Sequence, residues 1–217
     1  MKAGTKGAGS NRQTQIDFSV EFPEASEGHE YAARTRDTDS IRIMSTGTTI
    51  APPVWTLASA SDVDDIIRLA EAIHPAFPER PEVFAEKLSL FPSGCYVLVW
   101  HEEVVGYGLS HPWILNCIPP LDSLLDKVPG DTDCLYIHDV AILPEVRGRG
   151  SAALYVELMV ERAHTIGVNF LALISVCQTV PLWARYGFEV ANCSELGMKL
   201  QSYGPTARYM TRTLRVH

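Results

Sequence analysis

Residues Leu135 to Ala163 read LYIHDVAILPEVRGRGSAALYVELMVERA, and the order of features in that stretch decides the fold. An apolar run from Cys134 to Leu143 predicts a strand, and it stops at Pro144, which has no N–H for a ladder. Arg147, Gly148, Arg149 and Gly150 then form a turn. A helical pattern starts at Ser151 and runs to Ile166, with Ala152, Val156, Met159, Val160 and Ala163 as its buried stripe. Gly167 supplies the left-handed residue that ends the helix. Glycines ahead of a helix N-terminus let the backbone approach an anion, and the first-turn N–H groups point at it, so the turn reads as a phosphate cradle.

Upstream of this stretch, VWTLASA (Val54 to Ala60) predicts a strand, and Ser61 is expected to cap a helix whose first turn holds Asp62, Asp64 and Asp65. Val63, Ile66, Ile67, Ala70 and Ile73 recur at helical spacing along it. PEVFAEKLSLF predicts a second, shorter helix. CYVLVWH and VVGYGLSHPW predict a hairpin that turns at Glu102 and Glu103. The connection ILNCIPPLDSLLDKVPGDTD is long and proline-rich, and such loops often serve function. Downstream, FLALISV reads as a strand covered on both faces, VPLWARYG as a short helix, and Phe188–Asn192 and Ala207–Leu214 as two last strands. The predicted order is β-α-α-β-β-β-α-β-α-β-β, without an internal repeat.

Composition narrows the function classes. The chain has 217 residues, 46% of them hydrophobic, enough for one domain with a substantial core. No run of 18 or more apolar residues predicts a membrane span, and no apolar segment follows the N-terminal lysines as a secretory signal would require. A net charge of -8 argues against nucleic acid as a partner. Five cysteines without ligand spacing point to reduced thiols in a cytoplasmic protein and to no metal site. Residues 1–50 are rich in Gly, Ser, Thr and charge without apolar periodicity, which predicts disorder; residues 51–217 then form the single domain. Met44, inside the first segment, is a candidate alternative start.

Gly148, Gly150 and Ala153 satisfy the dinucleotide fingerprint G-x-G-x-x-A. That motif should follow its strand at once and be answered by an acidic residue about 20 positions later. Here Pro144 to Arg147 intervene, and Asn169 to Gln178 contain no Asp or Glu, so the dinucleotide reading is discarded. The same letters read as Arg147-x-x-Gly150-x-Ala152. With VAILPEVRGRG and the later VPLWARYGFEV, the chain from about Val54 to Leu214 resembles the GNAT superfamily of acyl-CoA-dependent N-acetyltransferases. LYIHDVAIL and VPLWARYGF are most similar to segments of its arylalkylamine (serotonin) and polyamine N-acetyltransferase group.

The resemblance implies an α/β (α+β) fold: a mixed, mostly antiparallel sheet of six or seven strands, flanked by helices and splayed between the fourth and fifth strands. It implies acetyl-CoA as co-substrate, bound by Val140, Ile142, Arg147, Gly148, Arg149, Gly150, Ser151, Ala152 and Trp183. A bulge is expected near Ala141 to Leu143, with the Ile142 N–H polarising the thioester carbonyl. His138 is the candidate base, since an imidazole with an ordinary pKa of about 6.5 accepts protons near neutrality. Strand alternation puts it on one face with Tyr136 and Val140, opposite Ile137, Asp139 and Ala141; a histidine bonded in the core is the other reading.

The family's proton-donating tyrosine aligns with Trp183, which leaves Tyr136, Tyr186 or water for that role. Phe77, Phe84, Trp113 and Trp183 are candidates to line an acceptor pocket, with core packing as the other reading; Asp139 is a candidate to attract an amine or to hold a structural hydrogen bond, and His111 to reach the site. Asp122, Asp126, Asp131 and Asp133 would suit a polyamine. The expected activity is direct acetyl transfer to a small primary amine by a monomer or weak dimer. The alternatives are acetylation of a protein lysine or N-terminus, and an acyl-CoA-binding regulatory module without turnover.

Overall fold

The structure, a computed structural model, describes residues 51–192 and 196–215. The disorder expected over residues 1–50, and the alternative start at Met44, lie outside the described residues. Strands β1 (Val54–Leu57), β2 (Cys95–Trp100), β3 (Glu103–Trp113), β4 (Cys134–Ile142), β5 (Phe170–Ser175), β6 (Glu189–Val190) and β7 (Arg208–Thr213) form one sheet in the order β1-β2-β3-β4-β5-β7-β6. The β4–β5 pair is parallel and the other pairs are antiparallel. The helices are α1 (Val63–Ile73), α2 (Pro81–Leu90), α3 (Ser151–Ile166), α4 (Val180–Arg185) and α5 (Gly197–Gln201). This is the expected mixed sheet; α5 is an element the sequence pattern did not announce.

Several boundaries moved for local reasons. β1 ends at Leu57 rather than Ala60 because Ser59, not Ser61, starts the turn: its N–H and hydroxyl both donate to Asp62 Oδ2, at 2.7 and 2.8 Å. The hairpin turns at His101 and Glu102, both left-handed (φ 53° and 67°), one residue earlier than expected. Two left-handed residues give the loop the twist of its flanking strands.

Helix α3 carries its deepest side chains at Ser151, Tyr155, Val156, Met159 and Ala163, while Ala152 and Val160 are half-buried. The expected stripe is thus rotated toward Tyr155, which is fully buried over Gly108; a Cβ on Gly108 would stand 2.3 Å from the Tyr155 ring. Leucines 135, 171 and 173 with Ile137 pack under this helix. On the other face, Ile66 and Leu69 of α1 and Phe84 and Leu88 of α2 cover Val97, Tyr107 and Leu109.

Two irregularities in β4 position the site. In the β3–β4 register, Leu109 faces Asp139 and Ser110 faces Ile137, so His138 is an extra residue and the bulge lies there, not at Ala141 to Leu143. The β4–β5 pairing ends at Ile137 opposite Leu173, so β4 continues from His138 to Ile142 without β5 beside it. The expected splay between the fourth and fifth strands is that divergence.

Candidate active site

The glycine turn follows β4 through a short 3-10 segment, Pro144–Val146. Gly148 (φ 75°) and Gly150 (φ 83°) are left-handed, and a Cβ on either would meet no atom within 4 Å. Glycine is therefore required here by backbone conformation, and the space over the turn stays open to a ligand. Gly150 is the N-cap of α3, whose first N–H groups have no intrahelical acceptor. Ser151 is buried and accepts a 2.8 Å hydrogen bond from the Trp55 indole at its carbonyl. The two arginines are partly engaged: Arg147 Nε donates to Ile142 O at 2.8 Å, and the Arg149 guanidinium lies 4.8 Å from the Trp100 ring centroid. Arg147 therefore braces the turn against the strand end.

The same bond marks the open edge of β4. Leu143 N–H is donated to Val105 O at 2.9 Å, so by strand alternation Val140 and Ile142 turn their backbone groups to the side β5 has left. Together the open edge and the glycine turn suit an extended ligand that ends in phosphates. Such a ligand pairs with strand groups along one stretch and sets its anion on a helix N-terminus.

On the α1–α2 face of β4 the bulge changes which side chains meet. Val140 packs with Ile137 on the α3 side, whereas His138, Asp139 and Ala141 reach the other face with Tyr136. The expected alternation, with Val140 beside His138 and Asp139 opposite, is corrected, because the inserted residue reverses the parity beyond it. His138 Nε2 lies 2.8 Å from Glu79 Oε2, and both side chains are almost buried, 7% and 5% exposed. The His111 ring stands 6.1 Å from that of His138. It is fully buried, and burial, with His138 close by, pushes its pKa down to about 3. Burial alone would raise Glu79, but the His138 imidazole and the Lys87 ammonium outweigh it and hold the carboxyl below its ordinary 4.5.

The other candidates divide. Phe77 and Trp113 come to this face: Phe77 lies 6.4 Å from the Tyr203 ring and Trp113 lies 5.2 Å from His111. Phe84 is a core residue, 2% exposed. Tyr136 is walled in by Ile118, Cys134, Ala172, Leu196 and Tyr209, and burial drives its phenol well above the ordinary 10. Asp139 accepts a short hydrogen bond from the Tyr107 hydroxyl, and His74 Nε2 stands 3.3 Å from its other oxygen without hydrogen-bond alignment. Trp183 and Tyr186 of the α4 segment pack 6.2 Å apart against the cluster under α3, so they lie apart from His138. Asp122 is bound by Arg80, and Asp133 Oδ1 accepts the Leu115 N–H at 2.6 Å, so neither carboxylate waits for a polyamine.

Sequence reasoning missed Glu79, the buried Lys87 and Tyr203. Glu79 lies in a proline-rich connection 59 positions from His138, and no spacing rule links the two. Among the described residues no group of three or more His, Cys, Asp or Glu is placed to hold a metal ion. Among them, too, no helix is long and apolar enough to cross a membrane.

Comparison with solved structures finds this fold repeatedly. Ard1 from Thermoplasma volcanium matches with a TM-score of 0.58 at 13% identity, over 76% of this chain and 100% of that one. Rv2747 from Mycobacterium tuberculosis, solved in complex with CoA and NLQ, matches with a TM-score of 0.55 at 18% identity, over 75% and 100%. The ribosomal-protein-S18-alanine N-acetyltransferase of Escherichia coli matches with a TM-score of 0.51 at 16% identity, over 76% and 96%. No curated protein matches the chain in sequence. A family model described as the acetyltransferase (GNAT) family matches residues 63–188, more than half of the chain. The chain therefore belongs to the acetyltransferase (GNAT) family and is an acyltransferase with the GNAT fold.

Proposed function

We propose that this acetyltransferase uses acetyl-CoA to acetylate the primary amine of a small arylalkylamine, as a cytoplasmic monomer or weak dimer. The observation that carries the substrate class is the way the connection between β3 and β4 is tied down. Arg80 grips Asp122, and Glu86 accepts the N–H groups of Leu125 and Asp126, both at 2.8 Å. Lys199 and Tyr203 donate to the carbonyls of Ile118 and Pro119. The connection thus bridges α2 and α5 on the His138 side, which favours an enclosed pocket over a peptide groove.

Within the small amines, the engaged carboxylates of Asp122 and Asp133 favour an aromatic acceptor over a polyamine. Phe77, Trp113 and Tyr203 offer ring surface to it. The His111 Nε2 and Trp113 Nε1 atoms are buried without a hydrogen-bond partner among the described residues. They present one acceptor and one donor to a polar substituent on that ring.

Acetyl-CoA supplies the acetyl group as an activated thioester. Gly148, Gly150, Ser151 and Ala152 receive its pyrophosphate on the α3 N-terminus, with Arg147 and Arg149 at the rim. The backbone groups of Val140 take its pantetheine arm, and Ile142, whose carbonyl is held by Arg147, offers its N–H to polarise the thioester carbonyl. Trp183 forms the α4 wall. An alkylamine is mostly protonated near neutrality, so it must lose a proton before it can attack. His138 accepts that proton. Of the two candidate tyrosines, Tyr186 is the half-buried one, and burial raises its pKa so that it keeps a proton for the leaving thiolate.

The test is thiol release from acetyl-CoA with a panel of phenylethylamine- and tryptamine-like amines, with and without ring hydroxyls, polyamines, a peptide with a free N-terminus and lysines, and no amine. Release that is fastest with arylalkylamines is expected. Release only with the peptide would replace the small-molecule reading with protein acetylation. Acetyl-CoA binding without release from any acceptor would favour a regulatory acyl-CoA-binding module.

A further inference from the structure

We propose that Glu79 is a positioning residue of this reaction: its carboxylate sets the tautomer of His138 and links that ring to the β3–β4 connection. The proposal rests on His138 as the proton acceptor. An ionised carboxylate can only accept a hydrogen bond, so the 2.8 Å contact between Glu79 Oε2 and His138 Nε2 requires the proton on Nε2. In the neutral ring the lone pair is then on Nδ1, and Nδ1 becomes the atom that takes the amine's proton. The imidazolium that forms has the carboxylate already against it, at a site where both side chains are nearly buried and the attraction is little screened.

The second Glu79 oxygen faces elsewhere. Oε1 accepts the N–H of Asp122 at 3.1 Å. Asp122 is a left-handed residue (φ 52°) whose carboxylate and carbonyl are both held by Arg80. One carboxylate therefore joins the segment that closes the acceptor side to the ring that accepts the proton. Opening the connection strips Glu79 of a donor and loosens His138 in the same movement.

The ionisable groups around this pair are Lys87 from α2, Tyr107 and His111 from β3, Tyr136 from β4, with Asp139 next to His138 and bonded to Tyr107, Asp122 from the connection and Tyr203 after α5. Lys87 is 1% exposed, and among the described residues its Nζ donates a long 3.4 Å bond to Val83 O, so its charge supports Glu79 through space. His111 stays neutral and places no positive charge beside the forming imidazolium. A staple that merely fixes the α1–α2 connection to β4 would use the same contact, so the test must separate the two roles.

The full chain, 15N-labelled, is examined by two-bond 1H–15N correlation at pH 8, with His138 assigned by its loss in His138→Gln. The wild-type ring should carry its proton on Nε2. Turnover is then measured for Glu79→Gln, His138→Gln and the double variant. In Glu79→Gln, kcat should fall about 100-fold, within the range of acid–base contributions, with KM for acetyl-CoA unchanged. In the His138→Gln background the same substitution should change kcat less than about twofold, because its route of action is gone. A wild-type ring protonated on Nδ1 overturns the proposal, with or without turnover. An equal loss in both backgrounds also overturns it, since Glu79 would then act without His138. If His138→Gln keeps wild-type turnover, the base assignment itself falls. If only Glu79→Gln is silent, the base stands and the positioning role alone is lost.

Discussion

The glycine turn and the side-chain cluster around His138 lie at the two ends of the unpaired segment of β4, and they are built in opposite ways. The turn is contiguous: Arg147 to Ala152 hold its geometry, and the requirement on Gly148 and Gly150 is a backbone angle. The cluster is assembled from residues 77–87, 111–113, 136–139 and 203, and its requirements are contacts between segments far apart in the chain. A local device tolerates change around it and fails at single positions. An assembled one distributes its dependence, so most single changes there are felt as partial losses. The expected effects of substitution follow that division.

The largest effect belongs to the turn. Gly150→Glu puts a carboxylate where the phosphates should sit and a side chain on a left-handed residue. No atom lies within 4 Å of the added Cβ, so the fold has no clash to relieve. The strain should cost about 1–2 kcal/mol of stability, whereas acetyl-CoA affinity should fall at least about 100-fold, roughly 2.7 kcal/mol. Calorimetric titration beside a thermal melt checks both. Unchanged affinity in a folded Gly150→Glu protein would remove the turn from the site and make it a plain helix start.

This contrast also explains what could be read from sequence. Gly148, Gly150 and Gly167 announce themselves because the left-handed angle is a property of one residue and its neighbours. Apart from α5, the order of strands and helices was legible for the same reason, from apolar periodicity within each segment. The bulge was misplaced because it is a register event: only when Ser110 pairs with Ile137 does His138 become the extra residue. Glu79 was invisible because its partner is on another element, and Tyr155 was missed because its berth is the absent side chain of Gly108 on β3. Where a position answers to another segment, one-dimensional spacing carries no signal for it.

A smaller effect tests the pocket through pH. His111 is depressed to about 3 in the fold, against an ordinary 6.5. Above 6.5 both folded and unfolded chains hold it neutral, and it contributes nothing. Below 6.5 the unfolded chain takes up a proton that the folded one refuses, so stability drains as pH falls toward 3, by up to about 1.4 kcal/mol per pH unit. Glu79, also depressed, loses its contribution only as pH falls below its ordinary 4.5. The window between 4.5 and 6.5 therefore belongs to His111 among the described groups with a displaced pKa. His111→Phe should flatten unfolding free energy across that window. A slope that persists in His111→Phe would mean that the ring is hydrated or paired in solution and that the pocket is looser than its packing indicates.

The smallest effect is the most informative about whether turn and pocket are separate. The Arg80–Asp122 pair is half-exposed, 56% and 37%, so Arg80→Ala should cost only about 0.2–1 kcal/mol of stability. Yet that pair holds the residue whose N–H reaches Glu79. KM for the amine should therefore rise, about 1.4–5-fold if the lost interaction is of that size, while acetyl-CoA affinity should not move, because neither Arg80 nor Asp122 touches the turn. Parallel titrations of both ligands decide it. A matching loss in acetyl-CoA affinity would mean that tension in the β3–β4 connection is transmitted along β4 to Arg147 and Ile142. The local device would then depend on the assembled one. A change in amine KM alone keeps them independent, with β4 acting as a rigid partition between the glycine turn at its end and the His138–Glu79 cluster on its face.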